Sequence, residues 1–165
     1  MTTSDRTAPR GRLRIAALSV GAVFLLVGLL GFIPGITTNY DQLTFAGHHS
    51  EAALLGVFNV SVLHNIVHLL FGVAGIALAR SARTARAYLL GGGAVYAVLF
   101  VYGLVIDHDS AANIVPVNTA DNWLHLALAV AMIALGLLLG RNRRPGATAV
   151  NADHPSPGSS PGMIN

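Results

Sequence analysis

The 165-residue chain has no cysteine, and all ten of its basic side chains are arginine. Without thiols there are no disulfides, no thiolate-held iron–sulfur clusters and no thiol nucleophile. Charge is also scarce: Asp, Glu, Lys and Arg make up 10% of the residues, against 53% hydrophobic ones. A soluble domain carries roughly 25% charged residues, so a water-solvated fold is not expected. The net charge of +3 does not signal nucleic-acid binding, because the arginines flank apolar runs.

Those runs are four, each near the ~20 residues needed to cross a bilayer. The expected spans are 13–33, stopped by Pro34-Gly35, then 53–79, 87–106 and 123–140. The first has the basic flank of a signal peptide. Its apolar run exceeds the ~7–15 residues of a signal core, however, and no small-residue cleavage site follows, so it reads as a retained span. The fold class expected is all-α, an integral membrane four-helix bundle. Residues 1–12 form an N-terminal tail, and the Pro/Gly/Ser-rich segment 141–165 reads as a disordered C-terminal one.

Arginine placement orients the bundle. Arg6, Arg10, Arg12 and Arg14 precede the first span, Arg80, Arg83 and Arg86 lie between the second and third, and Arg141, Arg143 and Arg144 follow the fourth. Segments 34–52 and 107–122 contain no basic residue. The positive-inside rule puts both termini and the 80–86 turn in the cytoplasm, in the cytoplasmic membrane. Ser50-Glu51 and Asp121 read as helix starts, and Trp123 as an interfacial anchor. Small residues four apart (Ala17 and Gly21, Gly93 and Ala97, Gly136 and Gly140) suit close packing within the bundle better than dimerisation. No usable internal repeat is visible; each half is at most an out-and-back helical pair.

The second span carries polar residues that lipid would not tolerate. Ser61, His64, Asn65 and His68 form a stripe that should face inward. The leading reading is that these groups bond neighbouring helices and hold the bundle together. A haem axial ligand is an alternative. His64 and His68 share one helix face, and His125, the only histidine in another span, is expected ~12 Å away in depth from His64 by helix rise. An i,i+4 histidine pair on a metal lacks a third ligand at that depth, and a proton path lacks a buried acid.

A separate candidate lies outside the membrane. His48, His49, Glu51, Asp107, His108, Asp109, Asp121 and His125 would suit a divalent metal if the loops converged there. The plainer reading is polar loops with Asp121 as a cap. No phosphate-binding glycine loop and no Ser–His–Asp arrangement is evident, so hydrolase chemistry is not expected.

The stretches GFIPGIT (31–37), LLGVFNVSVLHNIVHLLFGVAGI (54–76) and DNWLH (121–125) resemble the bacterial, mainly actinobacterial, membrane family called domain of unknown function 4383. The resemblance implies four membrane helices and a cytoplasmic-membrane location. It brings no activity, substrate or cofactor. Ser61, His64, Asn65, His68, Asp121 and His125 occupy its motif positions. The expected function is therefore a non-enzymatic membrane protein, structural or bound to a membrane partner or a second copy of itself, with no resident cofactor. An extracytoplasmic metal- or ligand-binding protein is the first alternative, and a haem- or quinone-linked redox component the second.

Overall fold

Apolar runs make the helices, and glycine, proline and short polar side chains end them. A computed structural model describes residues 8–140 and shows four helices: α1 (Ala8–Leu30), α2 (Val62–Leu78), α3 (Ala82–Val105) and α4 (Thr119–Leu138). The expected C-terminal tail, 141–165, lies outside the described residues, as do residues 1–7. Past α1 the chain tightens through Gly31 and Phe32, then turns at Pro34-Gly35, where Gly35 has φ +89°. α1, α3 and α4 are long and apolar enough to cross a membrane. Their lipid-side surface is apolar: Ile15, Leu26, Val98, Leu104, Val130 and Leu138 are all exposed. On the helices His64, Asn65, His68, Asp121, Asn122 and His125 are buried, the inverse of a water-soluble bundle.

The second span departs from expectation. Residues 53–79 are not one helix. The connection between α1 and α2 folds into β1 (Thr37–Thr38), a 3-10 turn (Tyr40–Gln42), β2 (Ala53–Leu54) and β3 (Phe58–Asn59). The three strands form an antiparallel sheet in the order β1-β2-β3, with Thr38 opposite Ala53 and Leu54 opposite Phe58. Its hairpin turn has Leu55 at φ 55° and Gly56 at φ 71°, and the Val57 N–H donates to the Leu54 carbonyl at 3.1 Å. Two successive positive φ values are those of a type I′ turn, which matches strand twist and which a helix cannot contain. α2 starts only where Ser61 caps it, its hydroxyl accepting from the His64 N–H at 3.1 Å. At 17 residues α2 is ~25 Å long, at the lower end of spanning length.

The expected caps move accordingly. Ser50 starts no helix; it is buried, donating to the Val60 carbonyl at 2.6 Å and accepting from the Thr44 N–H. Glu51 is exposed on the same connection. Asn118, not Asp121, caps α4, with Asp121 completing a capping box. α3 begins at Ala82 behind the Ser81 cap, so Arg83 and Arg86 belong to its first turns.

The two halves repeat one another contact for contact, a relation the sequence reading does not anticipate. The matching contacts relate α1 to α3 at one constant sequence offset, and α2 to α4 at another. Gly21 of α1 meets α2 so closely that an added Cβ would stand 2.9 Å from the Gly72 carbonyl oxygen and 3.0 Å from the Ile76 nitrogen. Gly93 of α3 meets the Ala129 carbonyl and the Ile133 nitrogen of α4 in the same way, at 3.1 Å each. Gly31 makes room for the Asn65 amide, and Gly103 for that of Asn122. Phe24 lies against the His68 ring at 5.5 Å, and Tyr96 against His125 at 5.4 Å. Arg14 Nε donates to the Ala79 carbonyl at 2.9 Å, and Arg86 Nε to the Gly136 carbonyl at 3.1 Å. Each arginine thus caps the negative end of the returning helix.

Arg14 and Arg86, Gly21 and Gly93, Asn65 and Asn122, and His68 and His125 are the same residues in equivalent places, but connections of unequal length separate them, so the repeat has no single period in the sequence. Phe24 and Tyr96, equivalent positions, stack on each other at 5.4 Å where the two hairpins join. The small residues therefore serve packing within the chain: Gly21 and Gly93 join helices within each hairpin, and Gly136 faces Leu89 and Leu90.

Candidate functional site

The three buried histidines gather at the sheet end of the bundle. Because α2 begins at Val62, His64 lies in its first turn and His68 in its second; His125 lies in the second turn of α4. The ~12 Å depth mismatch expected between His64 and His125 is therefore overturned. It came from starting the helix at Ala53. All three rings line one cavity of about 320 Å³, together with Tyr96 and Tyr102 of α3 and Val117 of the 106–118 connection.

Local structure positions each ring. The Ser61 cap orients the first turn of α2, and the His64 and His68 rings stack at 4.4 Å. His68 Nδ1 lies 3.1 Å from the His64 carbonyl. A carbonyl only accepts, so Nδ1 carries the proton, and in the neutral ring Nε2 is left as an acceptor. His64 and His125 each keep a buried Nδ1 with no hydrogen-bond partner. Asn65 is buried with both amide atoms unpartnered, and the Asn122 Oδ1 is likewise alone. The Tyr102 hydroxyl donates to the Ala112 carbonyl, tying α3 to the loop that closes the cavity. Asn113 staples that loop, its amide donating to the His108 and Val117 carbonyls and accepting from the Val117 N–H.

Asp121 is structural glue between the halves. One carboxylate oxygen accepts from the Asn59 N–H and from the Asn118 N–H, both at 3.0 Å, and so joins β3 to the start of α4. Asn118 adds a bond from its amide to the Val57 carbonyl at 2.8 Å. Asp121→Ala should lower stability by about 3 kcal/mol, since hydrogen bonds to a charged group are worth ~1.5–3 kcal/mol each and the cap is weakened as well. Denaturant titration of the detergent-solubilised protein reads this out. A loss under about 0.5 kcal/mol, the scale of an ordinary surface change, would contradict the role.

The other outer residues are dispersed. His48 and His49 have ring centroids 3.9 Å apart on the α1–α2 connection. His108 Nε2 donates to the Gly103 carbonyl at 2.9 Å, Asp107 accepts from the Asp109 N–H, and Asp109 is exposed. Among the described residues, no three His, Asp or Glu side chains are grouped so as to hold a metal ion. Tyr96 and Tyr102 escaped the sequence reading. The one available signal was that each is an aromatic residue with a polar tip in an otherwise apolar helix.

Comparison of the two halves shows that the cavity is a position the fold can fill. The counterparts of its wall residues Leu99, Tyr102, Val115 and Val117 are Val27 and Leu30 of α1, Phe58 of β3 and Val60 just past it. There Ala52 and Leu54 are buried among them, with Ile36 and Leu43 packed alongside. The α1–α2 connection is long enough to fold back and plug that place. The 106–118 connection is shorter and leaves its own place open. His64 also breaks the repeat, because the equivalent position in α4 is Asp121. The open place, which takes α2 as one wall and α3 with the 106–118 connection as the other, is therefore the one with the extra imidazole.

These features define a helical membrane protein built from two like hairpins, with a histidine-lined cavity between them. A family model described as Domain of unknown function (DUF4383) matches residues 14–138, and the chain belongs to that family. No curated protein and no solved structure matches it.

Proposed function

We propose that this chain is a non-enzymatic, four-span protein of the cytoplasmic membrane, with both termini inside, that binds a small molecule in the cavity beneath its outer loops. Ligand binding is favoured here over a purely structural role. The observation carrying it is a cavity of about 320 Å³ with three histidine rings in its wall, His64, His68 and His125. Of these, His64 and His125 each keep a buried Nδ1 without a partner, which costs about 1–3 kcal/mol. A guest around which the rings turn to expose a nitrogen would recover that cost.

Orientation rests on the arginines. Arg14 and Arg86 sit at the bundle end opposite the sheet, in line with the positive-inside rule. α2, though short, runs beside α1 for its whole length and carries an apolar outer face, including Leu70 and Val73. That supports a fourth crossing.

The test is solvent extraction and mass spectrometry of protein purified in mild detergent, beside its visible spectrum and metal content. The expected result is a near-stoichiometric organic compound that is lost from His64→Phe/His125→Phe protein of unchanged helicity. A Soret band or stoichiometric metal would replace this reading with the haem or metal alternative. Folded protein that carries nothing and takes up nothing would return the histidines to packing alone.

A further inference from the structure

We infer that the cavity receives the headgroup of an uncharged lipid, which enters sideways from the bilayer between α2 and α3; this rests on the ligand-binding reading above. The outer rim is the first reason. Val67 of α2, Val98 of α3 and Ile114 of the 106–118 connection line the cavity and are 44%, 68% and 58% exposed. An apolar rim between two lipid-facing helices opens toward hydrocarbon rather than toward water. α1 packs closely on α2 and α3 on α4, whereas α2 and α3 touch much less, so the rim lies at the looser seam.

Size and depth agree. At about 320 Å³ the cavity is at the small end of ligand sites, which run from roughly 300 to 1,000 Å³. It holds a headgroup but not a whole lipid, so the tail must lie outside, along the helices. The histidines occupy the first two turns of α2 and α4, within ~10 Å of the helix ends, where the polar part of an outer-leaflet lipid sits.

Charge narrows the class. No charged side chain lines the cavity. The connections on that side, 31–61 and 106–118, contain no arginine or lysine. A phosphate headgroup would find no cation there. The groups on offer are the neutral rings of His64 and His125, whose ring N–H can donate to a carbonyl or hydroxyl oxygen, and the acceptor Nε2 of His68, which can take a bond from a hydroxyl. An ester-and-hydroxyl glycerolipid and an isoprenoid quinone share that chemistry.

The full-length protein in detergent is titrated with dioctanoylglycerol, a decyl-benzoquinone, dioctanoyl-phosphatidylglycerol and the tailless ester triacetin, with adducts counted by native mass spectrometry. One or both uncharged lipids should bind saturably, and which of them does so identifies the source. They should bind at least tenfold more tightly than the anionic lipid or triacetin. Val98→Trp, which closes the rim from an exposed position, should weaken lipid binding at least tenfold. Val105→Trp, still more exposed on the same helix but off the rim, should not. Preferred binding of the anionic lipid, or indifference to Val98→Trp, would overturn the inference. Binding of triacetin alone would overturn lipid entry while leaving the ligand-binding reading in place. No adduct with any probe, on protein that also yields nothing on extraction, would overturn both.

Discussion

Gly21→Leu is expected to abolish the folded bundle, whereas Gly91→Leu on α3 should leave it intact. At Gly21 even a Cβ would lie 2.9–3.2 Å from backbone atoms of Gly72, Gly75 and Ile76. Backbone cannot rotate aside as a side chain can, so α1 and α2 would have to separate along their whole seam. Overpacking commonly costs 1–3 kcal/mol where neighbours can adjust, and here they cannot, so a loss of about 4 kcal/mol or more is expected. In a membrane the loss is not offset elsewhere, since close packing is what holds helices together when lipid is as apolar as leucine. Gly91 has nothing within 4 Å and faces outward. Circular dichroism and size-exclusion behaviour in detergent distinguish the two. The repeat adds a sharper expectation, that Gly93→Leu should be about as damaging as Gly21→Leu. Equal tolerance of Gly21→Leu and Gly91→Leu would contradict the packing described.

Phe24→Ala should cost about 3–5 kcal/mol, the range for removing a buried phenylalanine. Phe24 is 2% exposed and meets three rings: Phe71 at 5.0 Å edge-on, Tyr96 at 5.4 Å stacked and His68 at 5.5 Å. It lies at the junction of the two hairpins, so its loss loosens both halves at once. Phe24→Leu restores much of the volume without the ring contacts and should recover more than half of the lost stability. Thermal unfolding of the three proteins in one detergent measures the series. A Phe24→Ala loss under about 1 kcal/mol would mean that the junction collapses freely around the gap.

Much of the fold is legible in the residues because lipid imposes so few solutions. Long apolar runs must be helices when no water is present to satisfy backbone groups, and arginines gather at one end. The helices α1 and α3 overlap most of the expected spans Leu13–Ile33 and Ala87–Ile106 for that reason, though each begins earlier, at Ala8 and Ala82. The rule fails at Ala52–Val60, where apolar composition reads as membrane while local chemistry builds a hairpin. Leu55-Gly56 at positive φ and the Ser61 cap decide that segment, and hydrophobicity carries no trace of either. The shifted helix start then displaced His64 and His68 by more than two turns, and with them every estimate of which histidines could meet.

The sequence alone determined the class of molecule, the number of helices, the end that carries the arginines and the inward polar stripe. Those follow from composition and periodicity, which are local. Only the tertiary structure made the repeat of the hairpins plain, since connections of unequal length break its period in the sequence, while contacts such as Gly21 on Gly72 and Gly93 on Ala129 match directly. Only it brought His125 beside His64 and His68 and left that place open while Leu54 and Ala52 plug its counterpart. A cavity is the space that several elements fail to fill, and no single stretch of chain encodes it.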